Sequence, residues 1–450
     1  MRPDFLLTSS LAKEIYQSLE GLPLIDWHNH LSWRDLSADR REENLTRLWV
    51  APDPYKHRAM RILGVPEEKI TGPASDWERF QAWSAVLPQL VGNPLYHWSQ
   101  LELSRFFHIQ EDLTPGSAER IWEQTKEQLQ EPGYSARGLL RQMGVEYAAP
   151  CVTPGEEIED WPAIPGVVPS FRGDDLLHPP QELWRKLTRL AGHPLRNLED
   201  LRQGIIPLLD ALHQKGCRFA DHALDGDFLY CPARSMAQVR LPFGEEPPPP
   251  SSQLSSAILR LLLEEYARRH WTVQLHLGAL RHTSTRLRKV AGPAGGYAGI
   301  GQGWNLQELV ALLDDAEQSP QGLPECLLYP LNPADCPPLA NLSGAFPGED
   351  LPGKVQLGPA WWWCDHLQGI RACLEASAAY GVLSVSLGMT TDSRSPLSFV
   401  RHEYYRRVLS SWLAEKAERG EFPSRRETLV DLATRLSYGN IKEHLRRKER

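Results

Sequence analysis

Leu22-Pro23-Leu24-Ile25-Asp26-Trp27-His28-Asn29-His30 is a short apolar run that ends in a polar, imidazole-bearing cluster. Such a run reads as a buried strand, and its last side chains are delivered to whatever lies at the strand's carboxyl end. Residues two apart in an extended chain project to the same face, so His28 and His30 can reach one metal ion there. The plainer alternative is a pair of surface histidines in a loop.

From about residue 146 onward, short apolar runs alternate with amphipathic helices. The runs fall at 146–152, 166–171, 218–222, 272–277, 326–331, 355–357 and 383–389, and helical periodicity fills 201–215, 254–269, 306–315 and 369–380. This alternation implies parallel βαβ units. With the strand near residue 24 the count is eight, which predicts an α/β fold of the (β/α)8 TIM-barrel kind. A barrel with insertions reaches 450 residues as one unit, so a single domain over 1–450 is expected. The segment 35–50 is charged with Leu45, Leu48 and Trp49 at helical spacing, and 75–130 is rich in Trp, Leu and Glu. Together they predict a mostly helical insertion at about 35–130, interrupted by a turn at 92–98. The proline run at 245–252 reads as a stiff exposed loop.

A hydrophobic content of 41% with 24% charged residues suffices for a large buried core. The net charge of −8 disfavours a nucleic-acid or anionic-membrane surface, so an anionic substrate would have to be held by local arginines. Seven cysteines, odd in number and without CxxC pairs, suit a reducing cytoplasm. The apolar run near the N-terminus is too brief for a signal segment, and no run reaches the roughly 18 residues of a membrane span. A cytoplasmic protein is expected.

Thr390-Thr391-Asp392-Ser393-Arg394 follows the last predicted strand. First and last strands of a closed barrel are neighbours, so Asp392 can complete a two-His, one-carboxylate metal site with Arg394 beside it to hold an oxyanion. A helix-capping Asp is the alternative. Gln274-Leu275-His276, with Arg281 beyond it, offers another imidazole, and Ala220-Asp221-His222 a carboxylate and a further one. For these, hydrogen-bonded structural roles serve as well. Arg172 closes the run 166–171 and is placed to bind a carboxylate or to make a rim ion pair. Of the adjacent Trp361, Trp362 and Trp363, at least one lines the cavity if the segment is extended. No P-loop, GxGxxG, GxSxG or HExxH occurs.

The segments 26–31, 55–61, 92–103, 220–225, 274–281 and 391–407 resemble uronate isomerases of the amidohydrolase superfamily, and similar segments run in family order from about residue 5 to 440. The resemblance implies an amidohydrolase-type barrel with one divalent metal, usually zinc, although Mn2+ or another divalent ion would also serve. It implies conversion of an aldohexuronate such as glucuronate or galacturonate to its ketouronate, in a homo-oligomer. His28, His30 and Asp392 match the family's metal-site residues, while Tyr55, Arg172, Asp221, His276, Trp361 and Arg394 match residues around the substrate. Asp392, or a group it orients, would transfer the proton and Tyr55 would polarise an oxygen.

The chain departs from that family at Pro54, where a histidine is usual and where proline offers neither an imidazole nor a backbone donor. His57 stands where a tryptophan is usual and would be the residue to compensate. The stretches 153–156 and 439–442 also differ. Two other readings use the same residues: a metal-dependent hydrolase of a sugar acid or lactone, and a barrel that binds sugar acids without turnover.

Overall fold

The computed structural model describes residues 3–158, 160–235, 243–301 and 304–448. Seven strands form one all-parallel sheet in sequential order: β1 (Leu24–Asn29), β2 (Val145–Val152), β3 (Ser170–Arg172), β4 (Phe219–Leu224), β5 (Thr272–Leu277), β6 (Glu325–Pro330) and β7 (Val355–Leu357). Their burial on both faces is what a parallel sheet covered by crossover helices requires. The helices Leu198–Gln214 and Ser252–Arg268 are among the crossovers. The first carries Leu201, Ile205, Leu208 and Leu212 on its buried stripe, and each is capped by a side chain, Asn197 and Ser251 respectively. A separate pair of two-residue strands, Ala279–Leu280 and Gly299–Ile300, lies above the sheet's carboxyl edge.

The sheet is curled, and its two faces pack into two apolar clusters. The larger one lies among the helices. The smaller lies inside the curl and joins Ile25 and Trp27 of β1, Phe219 of β4, and Leu327 and Tyr329 of β6. Trp27 Nε1 donates to the Tyr329 hydroxyl at 2.9 Å, and that hydroxyl donates to Gln274 Oε1 at 2.7 Å, so strands far apart in sheet order meet across the interior. The C-terminal helix Asn440–Lys448 closes the amino end with Ile441 and Leu445, and its His444 lies 2.7 Å from the Thr272 hydroxyl. The carboxyl ends are left for chemistry.

Two of the expected strands need correction. The run 166–171 forms a regular strand only at Ser170–Arg172, with Val167 making an isolated bridge to Ala148. The run 383–389 is not a strand: Leu383–Val385 is a 3-10 turn and the chain then extends irregularly. Gly388 explains why. Its φ is +90°, and a Cβ there would lie 1.8 Å from the Leu436 carbonyl oxygen, so the segment passes too close to its neighbour to carry a pleat. Side chains replace the missing ladder: Leu387 N–H donates to Gln356 Oε1 on β7, and Thr390 Oγ1 both accepts from His28 N–H and donates to the His28 carbonyl. The segment thus bridges β7 to β1.

Within 35–130 the longer helices are Pro54–Ile62, Asp76–Val86, Pro94–Phe107 and Ala118–Gln128. The predicted turn at 92–98 ends earlier. Asn93 caps Leu95 N–H and Pro94 takes the first helical position, where a missing N–H costs nothing. Among the described residues no helix is long and apolar enough to cross a membrane.

Candidate active site

His28 is the penultimate residue of β1, and His30 comes directly after the strand. Their rings stand edge to face at 5.3 Å, and Asp392 Oδ1 lies 3.2 Å from His28 Nε2 and 3.0 Å from His30 Nε2. The register of β1 against β2 shifts between Asp26 and Asn29. Such an irregularity re-aims side chains, and it allows Trp27 to face the inner cluster while the next residue, His28, enters the site. Asp392 is held by backbone as well: its N–H donates to the His28 carbonyl at 3.1 Å, and His30 N–H donates to the Ser393 carbonyl at 2.7 Å. Asp26 braces both sides, its Oδ2 accepting from Thr391 N–H at 2.8 Å and lying 2.9 Å from His402 Nε2.

Neighbouring strands complete the rim. Asp221 on β4 lies with Oδ1 4.0 Å from His28 Nδ1 and Oδ2 3.9 Å from His276 Nδ1 on β5. Cys151 on β2, which sequence reasoning passed over, has its Sγ 3.5 Å from both His28 Nδ1 and Asp221 Oδ1. The His276 ring is 4.6 Å from that of His28 and 4.4 Å from Trp361. Arg172 is engaged by two carboxylates, Asp174 at 2.8 Å and Asp221 at 3.1 Å. Arg394 lines an adjoining cavity of about 130 Å3, and its charge acts on His30. His222 and Arg281 turn elsewhere, to the Tyr266 hydroxyl at 3.0 Å and to Asp225 at 2.9 Å.

This donor set fits a divalent cation. The ligating atoms of His28, Asp221 and His276 lie within 4.8 Å of one another, as do those of His28, His30 and Cys151. Among the described residues neither ring nitrogen of buried His276 has a hydrogen-bond partner, which leaves both free for a bound ion, a water or a substrate group. Burial keeps His276 far below the usual histidine range and His30 down at about 3, so both present neutral imidazoles, the form that ligates. Burial also opposes the charge on Asp392, but the hydrogen bonds to His28 and His30 outweigh it and hold its carboxyl well below the usual range.

A third group adjoins this centre. Tyr55, on the helix Pro54–Ile62, donates its hydroxyl to Asp365 Oδ2 at 3.0 Å, and Arg401 Nη1 donates to the same oxygen at 3.2 Å. Arg401 also donates to the Thr391 carbonyl at 3.2 Å and lies 4.7 Å over the Tyr55 ring. Neither Asp365 nor Arg401 was singled out from sequence; the only signal was their place in or beside motif segments. Pro54 is the first residue of its helix, after the Asp53 cap. His57 lies three residues on from Pro54, about 60° from it round the helix, and the charges acting on it are those of Asp53, Arg61 and Glu67, not those of the rim residues.

The chain matches the family model described as glucuronate isomerase over residues 1–445. It is 37% identical to a uronate isomerase of Bacillus licheniformis, across 99% of this chain and 97% of that protein. To one of Haemophilus influenzae it is 36% identical, across 99% of each. The crystal structure of uronate isomerase from Thermotoga maritima superposes with a TM-score of 0.86 at 28% identity, covering 98% of this chain and 99% of that one. Glucuronate isomerase from Caulobacter crescentus also reaches a TM-score of 0.86, at 19% identity over 100% and 98% of the two chains, and speaks for the fold alone.

Proposed function

This chain belongs to the glucuronate isomerase family, and from that premise we propose that it interconverts an aldohexuronate, glucuronate or galacturonate, with its ketouronate. The proton at C2 moves to C1 through an enediol. The observation that carries the reading is the meeting of His28, His30 and Asp392 on one rim of a chain that matches the family along nearly its whole length.

Asp392 is the residue we assign to the carbon-bound proton, since it is an ionised, mostly buried carboxylate at the centre of the group. Tyr55 faces the substrate oxygens, Arg394 holds the sugar carboxylate and Trp361 offers an aromatic wall to its C–H surface. Arg172, already shared by Asp174 and Asp221, neutralises charge beside the reacting end. A divalent cation, zinc in the first instance, would be held by His28, His30 and Asp392, with Asp221 and His276 beside it, and would supply Lewis-acid polarisation of a substrate oxygen. We read the segment that bridges β7 to β1 as the eighth stave of the barrel, and residues 1–450 as one domain with a helical insertion at about 35–130. Seven free thiols suit a reducing cytoplasm, and a homo-oligomer is the expected assembly.

The test is to incubate metal-analysed protein with glucuronate and with galacturonate and to follow ketouronate formation, with Pro54→His alongside. Turnover by the unaltered chain is expected. If it is inert on both while Pro54→His is active, the assignment fails for this chain. Lactone hydrolysis, or uronate binding without turnover, would point to the two alternative readings.

A further inference from the structure

Converting an aldose to a ketose moves two protons. One travels from C2 to C1. The other leaves the oxygen on C2 and arrives at the oxygen on C1. A group that polarises these oxygens must therefore give up a proton and later recover one, and a lone phenol buried away from water has no reserve.

Tyr55 is such a phenol. Burial, reinforced by the Asp365 charge, raises it well above the usual tyrosine range, so a bare phenolate is disfavoured. Its hydroxyl is bonded to Asp365 Oδ2, and the Arg401 guanidinium holds that same oxygen. Burial pushes the Asp365 carboxyl up to about 7, only partly offset by Arg401 and by the Tyr55 hydrogen bond, with Asp392 adding to the rise. The charged and titratable groups around the pair are Tyr55 on its helix, Arg401 and Tyr404 on the helix Arg401–Glu418, and Asp392 on the rim. A cavity of about 220 Å3 lined in part by Tyr55, Trp363, Asp365 and His366 adjoins the pair, which is itself buried.

We propose that Asp365 is the positioning residue of Tyr55 and its proton store. This rests on the isomerase reading above. Starting from the protonated carboxyl, the Asp365 O–H passes its proton to the Tyr55 oxygen as the Tyr55 O–H passes its own to the substrate's C1 oxygen. Meanwhile Asp392 takes the C2 proton, the C2–H electron pair forms the C1–C2 double bond of the enediol, and the C1=O π pair moves onto the oxygen that receives the Tyr55 proton. In the second half the C2 oxygen gives its proton to Tyr55, Tyr55 returns one to the Asp365 carboxylate, and C1 takes up the carbon-bound proton. Nothing is oxidised overall and Asp365 ends as it began. Arg401 fixes the shared oxygen and stabilises the carboxylate between the two halves.

The experiment is the pH profile of kcat and KM in the metal-loaded enzyme for the unaltered chain, Asp365→Asn, Asp365→Glu and Tyr55→Phe. Since both directions start from the protonated carboxyl, kcat should fall above about pH 7. Asp365→Asn should lose that alkaline limb and about 100-fold in kcat with KM within about threefold, whereas Asp365→Glu should keep a displaced limb. An alkaline limb unmoved in Asp365→Asn, or kcat within about twofold of normal, overturns the proposal. An infrared titration from about pH 5 to about pH 9 gives a reading free of turnover: a protonated-carboxyl band should vanish in Asp365→Asn and shift in Tyr55→Phe. Absence of any such band in the unaltered protein also overturns the proposal. The band in a protein that turns over no uronate would instead uphold the shared proton and overturn the functional reading.

Discussion

Asp392 is joined to His28 twice, its backbone N–H donating to the His28 carbonyl at 3.1 Å while its Oδ1 stands 3.2 Å from His28 Nε2. The main-chain bond places the carboxylate and the side chain supplies the charge, so the two can be separated by mutation. Asp392→Asn keeps the first and removes the second. The expected outcome is an unaltered melting temperature in the absence of metal, a loss of bound metal on elemental analysis, and a kcat lower by about 100-fold or more. A fully metallated variant with kcat within about tenfold would remove Asp392 from both roles.

Gly296 constrains Tyr55 from outside the rim. Its φ is +79°, and a Cβ there would lie 2.2 Å from the carbonyl oxygen of Pro54, the residue before Tyr55. Gly296→Ala combines a left-handed backbone with a clash against the first residue of the helix that carries the phenol. A loss of about 2 kcal/mol in unfolding free energy is expected, with a change in kcat or KM that Gly292→Ala should not produce. Gly292 also has a positive φ, +70°, but its Cβ would meet nothing within 4 Å. Equal kinetic effects from the two substitutions would count against the contact with Pro54.

Strand β5 could be read from sequence to its exact ends because Thr272–Leu277 is buried on both faces and its apolar run is bounded by charge and glycine. The segment 383–389 could not, because one glycine and a set of side-chain hydrogen bonds replace a ladder that an apolar run alone would suggest. The same contrast holds in the site. His28, His30 and Asp392 announce themselves by sitting at run ends. Asp365 gains its meaning only from a hydroxyl 310 positions earlier in the chain, and Cys151 only from the curl that brings β2 beside His28. His57 was legible as a residue type but not in its surroundings, which Asp53, Arg61 and Glu67 supply.

Three buried histidines make acid stability a measurable consequence. Burial lowers His57 to about 4, His222 to about 4 and His444 to about 3. In the unfolded chain each takes up a proton near pH 6.5, so between about pH 6.5 and the folded values the unfolded state binds more protons and is favoured. Unfolding free energy should therefore fall as pH drops from about 6.5 to about 4. His57 has no side-chain hydrogen-bond partner among the described residues, only the Val50 backbone beside it, so His57→Leu should cost little and should flatten this slope. Denaturant unfolding of both proteins across that range checks it, and an unchanged slope would mean that His57 is not carried into the fold as a neutral ring.

The two arginines at the rim should separate binding from stability. Arg172 is committed to Asp174 and Asp221, and Asp221 is wholly buried. Removing the guanidinium strands a carboxylate whose desolvation already raises its pKa. Arg172→Met should therefore cost about 3 kcal/mol of stability as well as activity. Arg394 borders a cavity at the rim and acts on His30 through charge alone. Arg394→Met should leave the melting temperature nearly unchanged while KM for a uronate rises by about tenfold to 100-fold, because an anionic substrate loses a charge-assisted partner. The same KM for glucuronate and for glucose, in which an uncharged C6 alcohol replaces the carboxylate, in the unaltered enzyme would show that no arginine reads the carboxylate. A melting temperature that drops for Arg394→Met and holds for Arg172→Met would reverse the assignment of the two.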